Sequence, residues 1–92
     1  MLEKDQTIKY LVLWENVSPE VTRVLLNKRL FGYNNNGKFY PGAVQKFGCQ
    51  RLSKGCISVP AENLKSVLEI FVALNIPVNV REVIDLGEKA FA

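Results

Sequence analysis

Seven basic residues lie between Val21 and Ala61, and this acid-free stretch contains no aspartate or glutamate. Five aromatic residues are interspersed among them. Basic side chains neutralise phosphates and aromatic rings stack on exposed bases, so the combination is typical of surfaces that bind nucleic acid. Outside the stretch lie five basic and all nine acidic residues, so the stretch has a formal charge of +7 and the remainder −4. A polyanion responds to this local potential more than to the net charge of +3.

We predict that RNA or DNA contacts the later part of the acid-free stretch, where a loop is followed by two strands. Four side chains are predicted to neutralise phosphates: Lys38, Lys46, Arg51 and Lys54. Three loop aromatics are predicted to stack on bases: Tyr33, Phe39 and Tyr40. In the alternative interpretation, Phe31 and Phe47 are core residues, the two tyrosines only anchor the loop, and the lysines only solvate the edge strand and loop. The remaining basic residues lie on a predicted helix that could direct them to the far side of the domain: Arg23, Lys28 and Arg29.

Other kinds of chemistry have less support in the residue types. Histidine, the commonest general base and metal ligand, is absent. Cys49 and Cys56 supply at most half of a zinc site, and we expect two buried thiols, with a cross-strand disulfide as the alternative. Glu15 ends a predicted strand, where a metal-dependent nuclease could hold magnesium, but no second carboxylate accompanies it there. We therefore expect a non-enzymatic protein with no catalytic residue, metal or cofactor.

The size and hydropathy of the chain predict one domain. Ninety-two residues with 48% apolar content can bury a single core, which we place at about residues 7–86, with a tail at 87–92. No apolar run is long enough for a membrane span, and the first residues include Glu3, Lys4 and Asp5 in place of a signal peptide. We expect a cytoplasmic protein without membrane contact.

The first half of the chain predicts a strand, a helix and a long loop. Residues 7–15 are apolar on both faces, as in a central strand. Ser18 is expected to cap the following helix and Pro19 to take its first position. The residues of this helix predicted at helical spacing are Val21, Val24, Leu25 and then Lys28. Leu30 and Phe31 lie in its predicted last turn, and Gly32 ends the helix. Residues 33–42 are predicted to form a surface loop, with a short hairpin about Asn36-Gly37 as one form of it.

The second half predicts two strands, a helix and a last strand. Residues 44–52 are predicted as an edge strand with a bulge at Gly48, and residues 56–59 as a short apolar strand. The next helix begins at Pro60 and ends before Asn75 and Pro77. Its apolar stripe is Leu64, Val67, Leu68, Phe71 and Leu74. Residues 78–86 form the predicted last strand.

The order strand, helix, strand, strand, helix, strand predicts an α+β fold of the ferredoxin-like type. In this βαββαβ arrangement the four strands form an antiparallel sheet and both helices cover one face. The predicted register turns Val12, Trp14, Ile57 and Val59 toward the helices. The opposite sheet face then carries Lys9, Leu11, Leu13, Cys56 and Ser58.

Two segments resemble the motifs of RNA-recognition-motif domains. The run 12–22, VLWENVSPEVT, is similar to the first-strand motif and the capped helix after it, and the run 53–59, SKGCISV, is similar to the third-strand motif. The resemblance implies a nucleic-acid partner. The positions that carry stacking aromatics in that family correspond here to Leu13, Cys56 and Ser58. The expected contact therefore moves from the sheet face to the loop and edge strand.

The outward sheet face supports an alternative function. Two leucines and a cysteine make it apolar, so we expect the tail, the long loop or a second copy of the chain to cover it. Under this interpretation the protein is a protein-interaction or homo-oligomerisation module.

Overall fold

The chain folds as an α+β domain in which two longer helices pack with a four-stranded antiparallel sheet. The structure, a computed structural model, describes residues 7–85. The elements are β1 (Thr7–Leu13), α1 (Glu20–Phe31), β2 (Tyr33–Asn35), β3 (Lys38–Tyr40), α2 (Ala43–Lys46), β4 (Gln50–Ser53), β5 (Cys56–Pro60), a 3₁₀ turn (Ala61–Asn63), α3 (Leu64–Ala73) and β6 (Asn79–Asp85). The predicted tail and the predicted end of the last strand at Leu86 lie outside the described residues.

The main sheet has the strand order β4-β5-β1-β6, and each neighbouring pair is antiparallel. β1 lies between β5 and β6, as its apolar residues on both faces predict. β2 and β3 form a separate two-stranded sheet between α1 and α2. No helix in the described part of the chain is long and apolar enough to cross a membrane.

The core lies between the main sheet and the two longer helices. Val12, Ile57 and Val59 are fully buried, which confirms the predicted register of β1 and β5. Trp14 packs on Phe71 of α3, with their ring centroids 5.2 Å apart. The predicted stripe of α3 is also confirmed, because Val67 and Phe71 are buried and its three leucines pack against the core half-buried.

The predicted buried face of α1 is wrong. Val21 is 64% exposed, Val24 and Leu25 are each 41% exposed, and the buried residues are Leu26 and Leu30. These two leucines are four residues apart, so they lie one above the other on the face turned to the core. Apolar residues occupy three consecutive positions from 24 to 26, so the spacing alone does not choose between the faces.

The start of α1 also differs from the prediction. Ser18 makes no capping hydrogen bond, and Pro19 occupies the N-cap position before the helix. The Pro19 carbonyl accepts hydrogen bonds from the amides of Thr22 at 3.0 Å and Arg23 at 3.3 Å. Backbone geometry at Pro19 therefore begins the helix without the predicted side-chain cap.

The predicted edge strand over residues 44–52 is only partly correct, because its first half is the short helix α2. The Gln45 side chain accepts a hydrogen bond from the Gly42 amide at 2.8 Å, and the Phe47 amide donates to the Ala43 carbonyl at 2.8 Å. Gly48 has a positive φ of 65° and separates this turn from β4. It is therefore not the predicted bulge, and the register irregularity lies between Arg51 and Ser53.

The two neighbouring leucines of α1 provide a matched test of this core. We expect Leu26→Ala to lower the free energy of unfolding by about 2–5 kcal/mol, because it leaves a cavity among buried side chains. Leu25→Ala removes the same atoms from an exposed position, and we expect a loss of about 1 kcal/mol or less. Urea unfolding of both variants measures the difference. Equal losses would contradict the assigned face of α1.

Candidate functional site

The segment predicted as a long loop contains the β2–β3 hairpin. Asn36 and Gly37 form its turn with φ values of 53° and 79°, as the hairpin form of the prediction expects. Both values are positive, as at the central residues of a type I′ hairpin turn, and Asn and Gly tolerate such values best. Tyr33 lies opposite Tyr40 in the register. Cross-strand partners share a face, so the turn brings two tyrosines together that are seven residues apart in sequence.

The two tyrosines form a stack that is closed at each end by a lysine. Their ring centroids are 5.1 Å apart and the ring planes differ by 17°. The Lys28 Nζ atom lies over the Tyr33 ring, 5.5 Å from its centroid, and the Lys38 Nζ atom lies 5.3 Å from the Tyr40 centroid. Since the inner face of each ring contacts the other ring, the ammonium groups cover the outer faces. We call these four side chains the tyrosine stack.

A groove of about 470 Å³ runs beside the tyrosine stack. It lies between the end of α1, the hairpin and α2, and Phe47 and Ile70 contribute apolar side chains to it. The polar side chains that line this tyrosine groove belong to five residues: Lys28, Arg29, Tyr33, Tyr40 and Lys46. None of the residues that line it is acidic. Three basic side chains with no acidic neighbour in the lining make the groove suitable for an anion.

Two glycines allow the hairpin to approach α1 closely. A Cβ atom on Gly32 would lie 2.5 Å from the Tyr40 carbonyl oxygen and 2.7 Å from the Phe39 ring. A Cβ atom on Gly42 would lie 2.5 Å from the Gly32 nitrogen. Gly32 also has a positive φ of 81°, a conformation that side chains with a Cβ atom avoid. The chain therefore enters and leaves the hairpin through a contact that only glycine fits.

The structure separates the basic residues that we predicted to act together. Lys38 and Lys46 lie at the tyrosine stack and groove, whereas Arg51 and Lys54 line a second groove together with Arg23. The Arg51 Cζ atom lies over the Phe31 ring, 4.6 Å from its centroid. Two carboxylates lower the positive potential here, since Glu15 lines the second groove and Glu20 forms a 2.9 Å ion pair with Arg23. The second groove is thus the weaker site for an anion.

The third predicted stacking residue, Phe39, is not part of the tyrosine stack. It lies opposite Asn34 in the register, so its side chain is on the other face of the hairpin. There its ring contacts the Gly32 region, and it is 47% exposed. Phe39 therefore does not share the stacking surface of Tyr33 and Tyr40, and its role in base stacking stays a prediction.

Lys28 and Arg29 belong to the groove, although they were not among the predicted contacts. They lie in the last turn of α1, where positive charge also complements the helix dipole. Only Gly32 separates α1 from β2. A connection this short forces the last turn of the helix to lie beside the first residue of the hairpin. The short connection could therefore have indicated, from the sequence, that Lys28 and Arg29 line the groove.

The outward sheet face contains the five residues predicted for it. Cross-strand pairing places Leu11 opposite Ser58 and Leu13 opposite Cys56. Lys9 forms a 2.8 Å ion pair with Asp85 on the same face. The two leucines and Cys56 are half-buried and Ser58 is buried, so less apolar surface is exposed on this face than its residue types alone predict.

The remaining candidates for chemistry among the described residues are the two cysteines and Glu15. Both cysteines are free thiols, as the first of the two expectations has it, but each is half-buried and not buried as predicted. Burial raises the pKa of the Cys49 thiol, so less of the nucleophilic thiolate is present at neutral pH. Within residues 7–85 no group of three or more His, Cys, Asp or Glu side chains could hold a metal ion, and Glu15 is exposed.

Comparison of the chain with protein-family models, with curated proteins and with solved structures finds no match. The geometry of the tyrosine groove is therefore the basis for assigning a function.

Two glycines with the same backbone conformation test the docking of the hairpin. Gly32→Ala adds a methyl group against the Tyr40 carbonyl, and we expect it to lower the free energy of unfolding by more than about 2 kcal/mol and to disturb the tyrosine stack. Gly37 has a similar φ of 79° but no atom within 4 Å of an added Cβ, so Gly37→Ala is expected to lose only about 1 kcal/mol. Thermal unfolding gives the stability and near-ultraviolet circular dichroism reports on the tyrosines. Equal effects of the two substitutions would contradict the close contact.

Proposed function

We propose that the protein is a non-enzymatic nucleic-acid-binding module and that the tyrosine groove is its binding site. The observation that carries this proposal is the tyrosine stack, in which two exposed aromatic rings lie between two ammonium groups. Nucleic acid offers the two matching chemical groups, a phosphate for each ammonium and a flat base for each ring.

The energies of the two kinds of ring contact favour exchange of a lysine for a base. A lysine over an exposed aromatic ring contributes about 0.5–1 kcal/mol. A base stacked on an aromatic side chain contributes about 1–3 kcal/mol. A phosphate near Lys28 or Lys38 would draw the ammonium away from the ring and uncover the ring for the adjoining base. The lysines therefore do not block the rings from a ligand that also brings a phosphate.

Stacking of a base on a tyrosine ring favours single-stranded over duplex nucleic acid. In a duplex, each base is already stacked on its neighbours and paired, so stacking on a tyrosine requires that the base first leave the helix. The bases of a single strand are accessible at smaller cost, and this is the form that aromatic platforms bind. Phosphate contacts from Arg29 and Lys46 would add affinity without sequence preference.

We further propose that the fold is of the ferredoxin-like type. The strand order β4-β5-β1-β6 supports this, because it places the first and third strands of the main sheet at its centre. All neighbouring pairs are antiparallel, and a helix follows both β1 and β5. The β2–β3 hairpin and α2 would then be an insertion between the first helix and the second strand. Kinship with RNA-recognition motifs rests on the sequence resemblance alone, and the proposed binding site does not depend on it.

The outward sheet face is a weaker candidate for the site of function. Its leucines are half-buried, and its Lys9 is already paired with Asp85. The tyrosine groove combines exposed aromatic rings with three basic and no acidic lining side chains.

Fluorescence anisotropy with single-stranded and duplex oligonucleotides at several salt concentrations tests the proposed function. We expect tighter binding of the single strand and weakening as salt rises. Lys28→Gln/Lys46→Gln removes two charges from the groove, and we expect the slope of log affinity against log salt to become shallower by about 1.4. Lys54→Gln/Lys65→Gln removes the same net charge from other surfaces and serves as the control. No binding at low salt, or equal effects of the two double variants, would contradict the proposal.

Two aromatic substitutions test whether the bases stack on the groove face of the hairpin. We expect Tyr40→Leu to weaken binding of a single strand by about 1–3 kcal/mol, because a stacking surface is lost. Phe39→Leu alters the opposite face of the same strand and is expected to have little effect on affinity. Anisotropy measures both, after circular dichroism has shown that the variants fold. A larger loss for Phe39→Leu would place the bases on the other face.

A further inference from the structure

The two edges of the main sheet differ in their protection against pairing with another strand. β4 has four residues and an irregular register between Arg51 and Ser53. β6 has seven residues, and its register with β1 runs without interruption from Asn79 to Asp85. Short strands and bulges are common means by which proteins prevent an edge from pairing with another chain. β4 has both features and β6 has neither.

β6 also exposes apolar side chains beside its outer edge. Val80 is 39% exposed and Ile84 is 55% exposed, and Ile8, the partner of Ile84 on β1, is 38% exposed. In the described part of the chain β6 pairs with β1 alone. In an antiparallel pair about half of the backbone amides and carbonyls of an edge strand point away from its neighbour. β6 therefore offers both hydrogen-bonding groups and apolar surface to a further strand.

We propose that β6 pairs antiparallel with β6 of a second copy of this chain, about a two-fold axis at Val83. This interaction is separate from the proposed nucleic-acid site and does not depend on it. A symmetric pair of strands must place residues of the same sheet face opposite one another, because side chains alternate between the faces. The axis of such a pair therefore passes between the two copies of one residue. The charges of β6 decide which residue this is.

Three registers of this pair differ in the position of the axis, which lies at Arg81, at Glu82 or at Val83. An axis at Arg81 places two arginines opposite each other, and an axis at Glu82 places two glutamates opposite each other. Like charges directly opposite destabilise a strand pair. An axis at Val83 instead places Arg81 opposite Asp85 of the second copy, and it does so twice by symmetry. Only this register of the three pairs opposite charges.

The Val83 register also buries apolar surface on both faces of the sheet. The two Val83 side chains lie directly opposite each other on the outward face. On the helix side, each Ile84 lies opposite Glu82 of the second copy, and the two exposed Ile84 residues are diagonal neighbours across the axis, a separation within reach of long side chains. Asp85 keeps its ion pair with Lys9, since a carboxylate has two oxygens and accepts hydrogen bonds from more than one cation.

Cysteine crosslinking tests the register directly. With Cys49 and Cys56 replaced by alanine, Val83→Cys is expected to form a disulfide-linked dimer under mild oxidation, because directly opposite Cβ atoms are close enough to bridge. Glu82→Cys is the matched control, and it is expected to remain uncrosslinked. A crosslink in the Glu82→Cys variant alone would overturn the register. Light scattering of the uncrosslinked chain from micromolar to submillimolar concentration should show a dimer, and a monomer throughout would overturn the proposal.

A charge exchange at exposed positions provides a second test that does not use cysteine. Arg81→Asp places aspartates opposite Asp85 in both halves of the dimer, and we expect dimer affinity to fall about tenfold or more. Arg81→Asp/Asp85→Arg restores opposite charges across the axis and is expected to recover most of the lost affinity. Sedimentation measures both. If the double variant dimerises no more tightly than Arg81→Asp, the proposed pairing is overturned. It is also overturned if the chain remains monomeric and its β6 edge binds an unrelated extended peptide.

Discussion

The contact between Gly32 and Gly42 is the constraint on which the candidate site depends. The backbone enters the hairpin at the first glycine and leaves it before α2 at the second, and an added Cβ atom on either would meet main-chain atoms. This contact holds the ends of the hairpin together against the last turn of α1. The position of Lys28 over Tyr33 and the position of Lys46 across the groove both follow from it. The candidate site, which lies between the end of α1, the hairpin and α2, is thereby positioned by backbone contacts.

The core and the candidate site are stabilised in different ways. The core uses large buried side chains from the sheet and both longer helices, with Leu26, Leu30 and Phe71 almost completely buried. β2 and β3 have three exposed residues each, so burial of apolar area contributes little to the hairpin. Its stability comes from the Asn36-Gly37 turn, the tyrosine contacts and its docking to α1. Hydrogen exchange of such an element is expected to be faster than that of the core strands.

The sequence predicted those parts of the structure in which one pattern dominates. β5 and the stripe of α3 are unambiguous because their apolar positions fit one period, and β1 is identified as a central strand by apolar residues on both faces. The face of α1 was wrong because three adjacent apolar residues fit two faces equally well. The split of Arg51 and Lys54 from the tyrosine groove could not be predicted, since it follows from the helical turn of α2 and the positive φ of Gly48. Lys28 and Arg29 were predictable in principle from the single-residue connection between α1 and β2.

The position of the proposed site relative to the sheet edges connects the two proposals. The tyrosine groove lies near the β4 edge, since Arg51 of β4 covers Phe31 immediately before the hairpin begins. β6 is the opposite edge of the same sheet. A dimer paired through β6 would therefore leave the groove of each copy accessible and would present two grooves to one strand. Linked sites of this kind raise the effective concentration for the second contact. A small domain with few phosphate contacts per copy would gain affinity in this way without a larger binding surface.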